Sequence, residues 1–383
     1  MVNCMVAEGS EPHRHTWIDA MRLFAGVSMV GLHVTADAQG QPFPDVSAAE
    51  RTVPMLIRAV LYTARTELFL MISILLLVMA LDRAPRSYAC VIRQQSRRLL
   101  VPFAFWTVFF ACYGLLKAHA LGYGTVEWAR LMTWRGWVGF FLLGDVKYHM
   151  HFIPTLFGLL LIYPLYRAAQ KAPIFGLLIV VFLLMKQQLD REIFALFWGS
   201  EWLPYVVRLV KIATYSGYGF VAFAIYGLWQ RSDRETLESW LGPVALLAIG
   251  LFVFKLLATR DVIETGRWDF VNPTAYWADY LMPVALLVGC LCLSHRRWPV
   301  WISRASKYAF GIYLCHPIFL DVAEIALQGS SLSPTMLIML EFIWTLPATV
   351  LFVWGLERTA CLAWTVGLGP LPRLARVSPR QPI

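Results

Sequence analysis

The stretch RLFAGVSMVGLH, residues 22–33, is where the chain first becomes apolar enough to enter a bilayer, yet it begins with arginine and ends with histidine. Apolar stretches recur along the chain, each near the roughly 20 residues that a helix needs to cross about 30 Å of hydrocarbon. The 383 residues are 58% hydrophobic and only 15% charged, with a mean hydropathy of +0.59. These values lie far outside the range of soluble domains of this length. The sequence therefore predicts a membrane protein.

The apolar stretches are long and continuous, which predicts an all-α fold. We expect a polytopic membrane protein with about ten transmembrane helices around a central cavity. The predicted spans, in chain order, are 17–36, 55–81, 97–119, 150–168, 173–189, 212–230, 240–258, 275–293, 307–327 and 334–362. They fall in one ten-helix membrane domain, residues 17–364, between an N-terminal segment, residues 1–16, and a tail, residues 365–383.

The distribution of positive charge predicts the orientation of these helices. Lysine and arginine are concentrated in the links after spans two, four and eight, and such links usually lie in the cytoplasm. Both termini are then expected in the cytoplasm, and the chain is expected to be a multi-pass protein of a bacterial inner membrane. The formal net charge of +9 is explained by this topology. No basic and aromatic module for nucleic acid accompanies it, so we expect no nucleic-acid partner.

Arg22 and His33 are predicted to share one face of the first helix. They are 11 residues apart, which is three turns plus about 20°, and their Cα atoms lie about 16 Å apart along the axis. Ionisable groups in hydrocarbon cost roughly 2.5 to 3.5 kcal/mol each, so they usually face a cavity or the interior of a bundle. Two simpler interpretations remain open. Arg22 reaches the headgroups and pairs with Asp19, or His33 is an ordinary interfacial histidine.

Five stretches, in this order, resemble the acyltransferase 3 family of integral-membrane acyltransferases. In WIDAMRLFAGVSMVGLH, Asp19, Arg22 and His33 match the family's acidic, basic and histidine positions one for one. The other matching stretches are ELFLMISILL, RQQSRRLLVPFAFW, YHMHFIPTLFGLLLIYPL and SKYAFGIYLCHPIFL. The chain departs from the family pattern at Ile74, where a glycine is usual, and at His151, where a tryptophan is usual.

The resemblance implies an O-acyltransferase that moves an acyl group from acyl-CoA on the cytoplasmic side to a hydroxyl of a glycan or exopolysaccharide. Acetyl-CoA is the expected donor, with succinyl-CoA or another short acyl-CoA as the alternative, and a complex for polysaccharide synthesis is a candidate partner. Imidazole suits proton transfer near neutral pH, so His33 is the candidate general base or acyl relay. Arg22 is expected to act in catalysis with it and to anchor the phosphates of the donor.

Further residues are also expected at the site. Arg93, Arg97 and Arg98 are expected to form a collar for the donor, although the rule that cytoplasmic links are positive also explains them. Asp19, Glu67, His149 and His316 are expected near the substrates, with Glu67 placed to orient His33 or to offset the charge of Arg22. The pair His149 and His151 is not expected to hold a metal ion, because in a helix the two rings would point about 200° apart. The main alternative function is a polytopic transporter or export protein for a polysaccharide or an anionic solute.

Overall fold

The computed structural model describes residues 15–120, 122–269 and 272–371. Within these ranges the chain forms α-helices joined by loops and short 3-10 turns, with no strand. The helices are α1 Thr16–Val34, α2 Ala48–Leu61, α3 Thr66–Arg83, α4 Tyr88–Ala120, α5 Gly124–Leu131, α6 Trp134–Leu142, α7 Phe152–Leu161, α8 Tyr163–Lys171, α9 Leu178–Phe197, α10 Leu203–Arg231, α11 Arg234–Ser239, α12 Leu241–Thr265, α13 Pro273–Cys292, α14 Val300–Ser306, α15 Ala309–Leu327 and α16 Pro334–Arg358. The predicted N-terminal segment and tail lie mostly outside the described residues.

The predicted all-α membrane fold is confirmed. Eight helical segments of the described chain are long and apolar enough to cross a membrane, and the pair α7 and α8, bent by 66°, would form a ninth crossing. The first predicted span, 17–36, corresponds to α1, which is 19 residues long but carries Asp19, Arg22 and His33 and is not among these segments. Each predicted span thus has a helical counterpart, although the boundaries differ by several residues.

The helix α1 lies inside the bundle, where it contacts α2, α3, α13, α14, α15 and α16. A glycine allows the close contact with α2, because a Cβ on Gly31 would lie 2.4 Å from the side chain of Leu61. The peripheral helices α11 and α12 are much less buried than the helices inside the bundle. Only 11% of the most apolar window of α11 and α12 is buried inside the protein, against 67% for α10. The charged side chains of α1 therefore face protein and internal space rather than lipid.

Candidate active site

Arg22 and His33 lie near opposite ends of α1, and both face α15. The Arg22 side chain lines a cavity with Phe310 and Tyr313 of α15, whereas the His33 ring stacks on the ring of His316. Asp19 is buried and lies 3.5 Å from the Arg22 guanidinium, one turn away on the same helix. Asp19 thus contacts Arg22, the pairing that the simpler interpretation of Arg22 included.

The cavity at Arg22 encloses about 170 Å³ between α1, α3, α4, α7 and α15. It is called the donor cavity here because the resemblance implies that Arg22 anchors the donor. Three basic side chains line it: Arg22, Arg98 and Lys307. Arg93 and Arg97 lie on α4 with Arg98, but they are exposed and are not lining residues. The structure therefore brings one residue of the predicted collar to the cavity and leaves the other two outside it.

Lys307 is held at the donor cavity by α16. Its Nζ donates to both carboxylate oxygens of Glu357, at 2.8 and 3.1 Å, and the Tyr308 hydroxyl donates to the same carboxylate at 2.7 Å. The hydrogen bond to Glu357 raises the pKa of Lys307. Lys307 is consequently a fixed positive charge at this cavity.

Three histidines and a tyrosine lie together at the other end of α1, and we call them the histidine cluster: His33, Tyr148, His149 and His316. The centroid of the His316 ring lies 5.5 Å from that of His33 and 5.2 Å from that of His149. The Tyr148 ring lies 4.0 Å from His33 and is 41% exposed. His33 is half-buried beneath it. The cluster therefore lies near the protein surface.

The hydrogen bonds of His316 determine which ring nitrogen carries its proton. Its Nδ1 lies 2.9 Å from the carbonyl oxygen of Tyr313 and 3.2 Å from that of Ile312. A carbonyl oxygen only accepts, so Nδ1 must be the donor and Nε2 keeps a free lone pair. This buried Nε2 has no hydrogen-bond partner in the described part of the chain. His316 thus offers a proton acceptor inside the cluster.

His149 is placed by the segment between α6 and α7. This segment turns sharply at Gly144, where φ is +66° and a Cβ would lie 2.6 Å from the carbonyl oxygen of Met150. The Tyr313 hydroxyl donates to the carbonyl oxygen of His149 at 2.5 Å. Burial, and after it the nearby His316, lowers the pKa of His149 well below its ordinary value. Neither ring nitrogen has a protein partner among the described residues, and such buried polar atoms are typical of ligand or water sites.

A buried ion cluster fixes this segment against α15. Asp321, which is fully buried, accepts hydrogen bonds from Lys147 at 2.6 Å and from Lys117 of α4 at 2.6 Å. Lys117 also pairs with Glu324 at 2.6 Å. Burial lowers the pKa of Lys147, while the Asp321 carboxylate opposes that shift. Because Lys147 precedes Tyr148, the ion cluster positions the tyrosine that covers His33.

Aromatic rings separate the donor cavity from the histidine cluster. Phe69, Phe152 and Tyr313 line the cavity, and their ring centroids lie 5.3 to 6.4 Å apart. The Tyr313 ring is also 5.2 Å from His149. His33 is not a lining residue of the donor cavity. In this conformation the donor cavity therefore does not extend to His33.

Glu67 does not have the partners predicted for it. Arg65 donates to both of its carboxylate oxygens at 2.6 Å, and the Tyr215 hydroxyl donates at 2.6 Å. The carboxylate is thus engaged with α10 and with the residue before α3, and it neither orients His33 nor offsets the charge of Arg22. The sequence did not indicate these partners, although Arg65 is only two residues away, because Tyr215 is brought to Glu67 by the packing of α10.

The comparison with known families decides the class of protein. A family model described as an acyltransferase domain matches residues 15–358, nearly the whole chain. The chain belongs to the acyltransferase 3 family. No curated protein and no solved structure matches it significantly.

Family membership supports a membrane acyltransferase and disfavours the transporter alternative. The residues that match the family at the first helix are those placed at the donor cavity and in the histidine cluster. Within the described ranges, no group of three or more His, Cys, Asp or Glu side chains is arranged to hold a metal ion.

The sequence interpretation missed several residues of the site. These include Lys147, Tyr148 and Asp321. Their positions within or between apolar spans could have indicated them, because polar residues there usually have a buried partner. Arg58 gave a similar signal in the second span. Their partners are more than 20 residues away in the chain, so no local pattern indicates them.

Proposed function

We propose that this protein transfers an acyl group, acetyl first and succinyl as the alternative, from acyl-CoA to a hydroxyl of a glycan or exopolysaccharide. The observation that carries the proposal is the arrangement along α1. A cavity lined by basic side chains lies at one end of the helix, and a cluster of three histidines lies at the other. The basic links indicate that the Arg22 end faces the cytoplasm of a bacterial inner membrane.

The donor cavity suits the thiol end of coenzyme A. Guanidinium groups bind phosphate in pairs and stay charged, so Arg22 and Arg98 are placed to hold the phosphates at its mouth, with Lys307 beside them. The enclosed volume of about 170 Å³ is smaller than a typical site for a whole cofactor. We therefore place the nucleotide outside and the pantetheine arm inside, with its thioester toward Tyr313.

His33 acts on the acceptor. In the direct route, its imidazole takes the proton of the glycan hydroxyl while the oxygen attacks the thioester carbonyl, forming the C–O bond and breaking the C–S bond. The proton then passes to the departing CoA thiolate. In the relay route, a His33 nitrogen first attacks the thioester carbonyl, so that a C–N bond forms and CoA leaves as the thiolate. The glycan hydroxyl then displaces the imidazole, and its proton passes to the thiolate. Both routes require the rings of Phe69, Phe152 and Tyr313 to move, so that the thioester reaches the cluster.

Protein in nanodiscs, incubated with radiolabelled acetyl-CoA or succinyl-CoA and a panel of glycans, tests this proposal. We expect label on a glycan hydroxyl. We expect Arg98→Ala to raise the KM for acyl-CoA about tenfold, since a hydrogen bond to a charged group contributes roughly 1.5 to 3 kcal/mol, with little change in kcat.

The matched control is Arg234→Ala, which removes a guanidinium that is 65% exposed and pairs with Glu238. This variant should keep the KM of the unmodified protein. Absence of transfer to every glycan from both donors would contradict the proposed function. An unchanged KM in Arg98→Ala would remove the donor cavity as the binding site for CoA.

A further inference from the structure

A second, larger cavity opens beyond the His33 end of α1 and encloses about 770 Å³. Its walls are the loop that follows α1, the helix α2, the end of α12 with the loop after it, and the start of α13. We call it the Arg58 cavity. If the Arg22 end faces the cytoplasm, this cavity lies on the opposite side of the membrane, because α1 separates the two.

The rim of the Arg58 cavity is held together by hydrogen bonds between distant loops. The buried guanidinium of Arg51 donates to the carbonyl oxygens of Phe43 at 3.0 Å and Val46 at 2.7 Å, and also to that of Ile263 in α12. Trp268 donates from its indole nitrogen to Gly40 at 2.9 Å. The cavity is thus a built feature of the fold.

Arg58 connects the cavity to His33. It lines the cavity, and its Nη1 donates to the carbonyl oxygen of Leu32, the residue before His33, and to the Thr35 hydroxyl at 3.3 Å. Its guanidinium is stacked on the Trp268 ring, 4.5 Å from the centroid. A group bound by Arg58 therefore lies next to the catalytic end of α1.

The charges of the cavity favour an anion. The charged lining residues are Arg58, Lys255, Arg267, Asp269 and Asp279. Lys255 pairs with Asp279 at 2.6 Å. By contrast, neither Arg58 nor Arg267 forms a salt bridge within the part of the chain that the structure describes.

The Nε and Nη2 donors of Arg58 have no hydrogen-bond partner among those residues. They form the edge of a guanidinium that binds a carboxylate or a phosphate in pairs. Because the guanidinium is already fixed by Trp268 and Leu32, little conformational entropy is lost when an anion binds.

We propose that the Arg58 cavity binds the acyl acceptor and that this acceptor is an anionic glycan, with a carboxylate or phosphate group held by Arg58 and Arg267. The inference rests on the proposed acyl transfer to a glycan and adds the chemical class of the acceptor. The anionic group anchors the sugar in the cavity, and a neighbouring hydroxyl reaches the histidine cluster past Arg58.

Binding without any acyl donor tests this assignment. The full chain in nanodiscs of a neutral phosphatidylcholine lipid is titrated with cellohexaose, with the β-1,4-linked hexamer of glucuronate, and with a phosphorylated cellohexaose. We expect at least one anionic hexamer to bind about tenfold or more tightly than cellohexaose, as a charge-assisted pair of hydrogen bonds predicts. Which of the two binds better distinguishes carboxylate from phosphate.

Variants test whether the anionic hexamers bind in the Arg58 cavity. Arg58→Gln and Arg267→Gln should each remove most of this preference. Arg260→Gln, which removes an exposed arginine of α12 that pairs with Glu264 outside the cavity, should keep it. Arg58→Lys retains the charge without the paired donors and should bind with intermediate affinity. Binding of acetyl-CoA to each variant checks that the protein is folded.

Equal affinity for neutral and anionic hexamers would overturn the inference, as would a preference that persists in the Arg58→Gln, Arg267→Gln double variant. Different results would contradict the proposed function and the anionic acceptor. Transfer of acetyl to cellohexaose with no advantage for the anionic hexamers overturns only the anionic acceptor. Binding of an anionic hexamer without transfer to any glycan overturns only the acyl transfer.

Discussion

At the scale of single residues, the proposed site contains histidines with ring nitrogens that have no hydrogen-bond partner among the described residues. His316 is the best defined, because its two carbonyl partners fix the proton on Nδ1 and leave Nε2 as an acceptor beside the His33 ring. In the proposed reaction, this arrangement places a second base next to His33. His316 also precedes Pro317 in α15, and the carbonyls it binds belong to the same helix, so it both stabilises the helix and faces the cluster.

We expect His316→Gln to lower kcat for acyl transfer about tenfold or more, because a positioned base typically contributes a factor of 10² to 10⁴ and His316 assists rather than replaces His33. The KM for acyl-CoA should not change, since His316 does not line the donor cavity. Steady-state kinetics in nanodiscs measure both constants. His119→Gln, which changes an exposed histidine of α4, is the control. A kcat equal to that of the unmodified protein would exclude His316 from the reaction.

At the scale of helices and loops, the ion cluster around Asp321 joins α4, α15 and the segment that carries Tyr148 and His149. Two lysines share one fully buried carboxylate. Removal of one partner from a buried ion pair usually costs about 3 to 5 kcal/mol, because the remaining charge stays buried without compensation. An exposed pair on a helix surface contributes roughly 0 to 1 kcal/mol.

Asp321→Asn should therefore lower the apparent Tm of the detergent-solubilised protein by about 5 °C or more, given about 2 to 4 °C per kcal/mol for large domains. Glu264→Gln removes a carboxylate from an exposed pair with Arg260 and should shift the Tm by no more than about 1 °C. Thermal unfolding followed by tryptophan fluorescence measures both variants. Equal Tm values for the two would show that the Asp321 cluster does not stabilise the segment.

The sequence predicted the helices better than it predicted these contacts. Each transmembrane helix could be predicted from the apolar composition of its own residues. The spacing of Arg22 and His33 determines where they lie along α1. The partners of Glu67 and Asp321 are set by helix packing, which brings together residues far apart in the chain. The motif histidines 149 and 316 were recognised from resemblance, whereas their contact with His33 became visible only in the folded bundle.

At the scale of the whole molecule, α1 divides the interior into two ends. The donor cavity with Arg22 lies at one end, and the histidine cluster and the Arg58 cavity lie at the other. The charge pattern of the sequence predicts which end faces the cytoplasm, but it cannot reveal the cavities, because their volumes depend on side chains from five or more separate segments. In the proposed function, the aromatic rings between the two ends keep the donor and the acceptor in separate compartments until transfer.

Transfer across a sealed membrane tests this account most directly. Proteoliposomes would enclose a glycan acceptor, with radiolabelled acetyl-CoA supplied only outside, so that molecules with the Arg22 end outward carry both substrates on their proper sides. We predict labelled glycan in the lumen with the unmodified protein and a loss of about 100-fold or more with His33→Gln. Label that appears only when donor and acceptor share one compartment, or that persists undiminished in His33→Gln, would contradict the account.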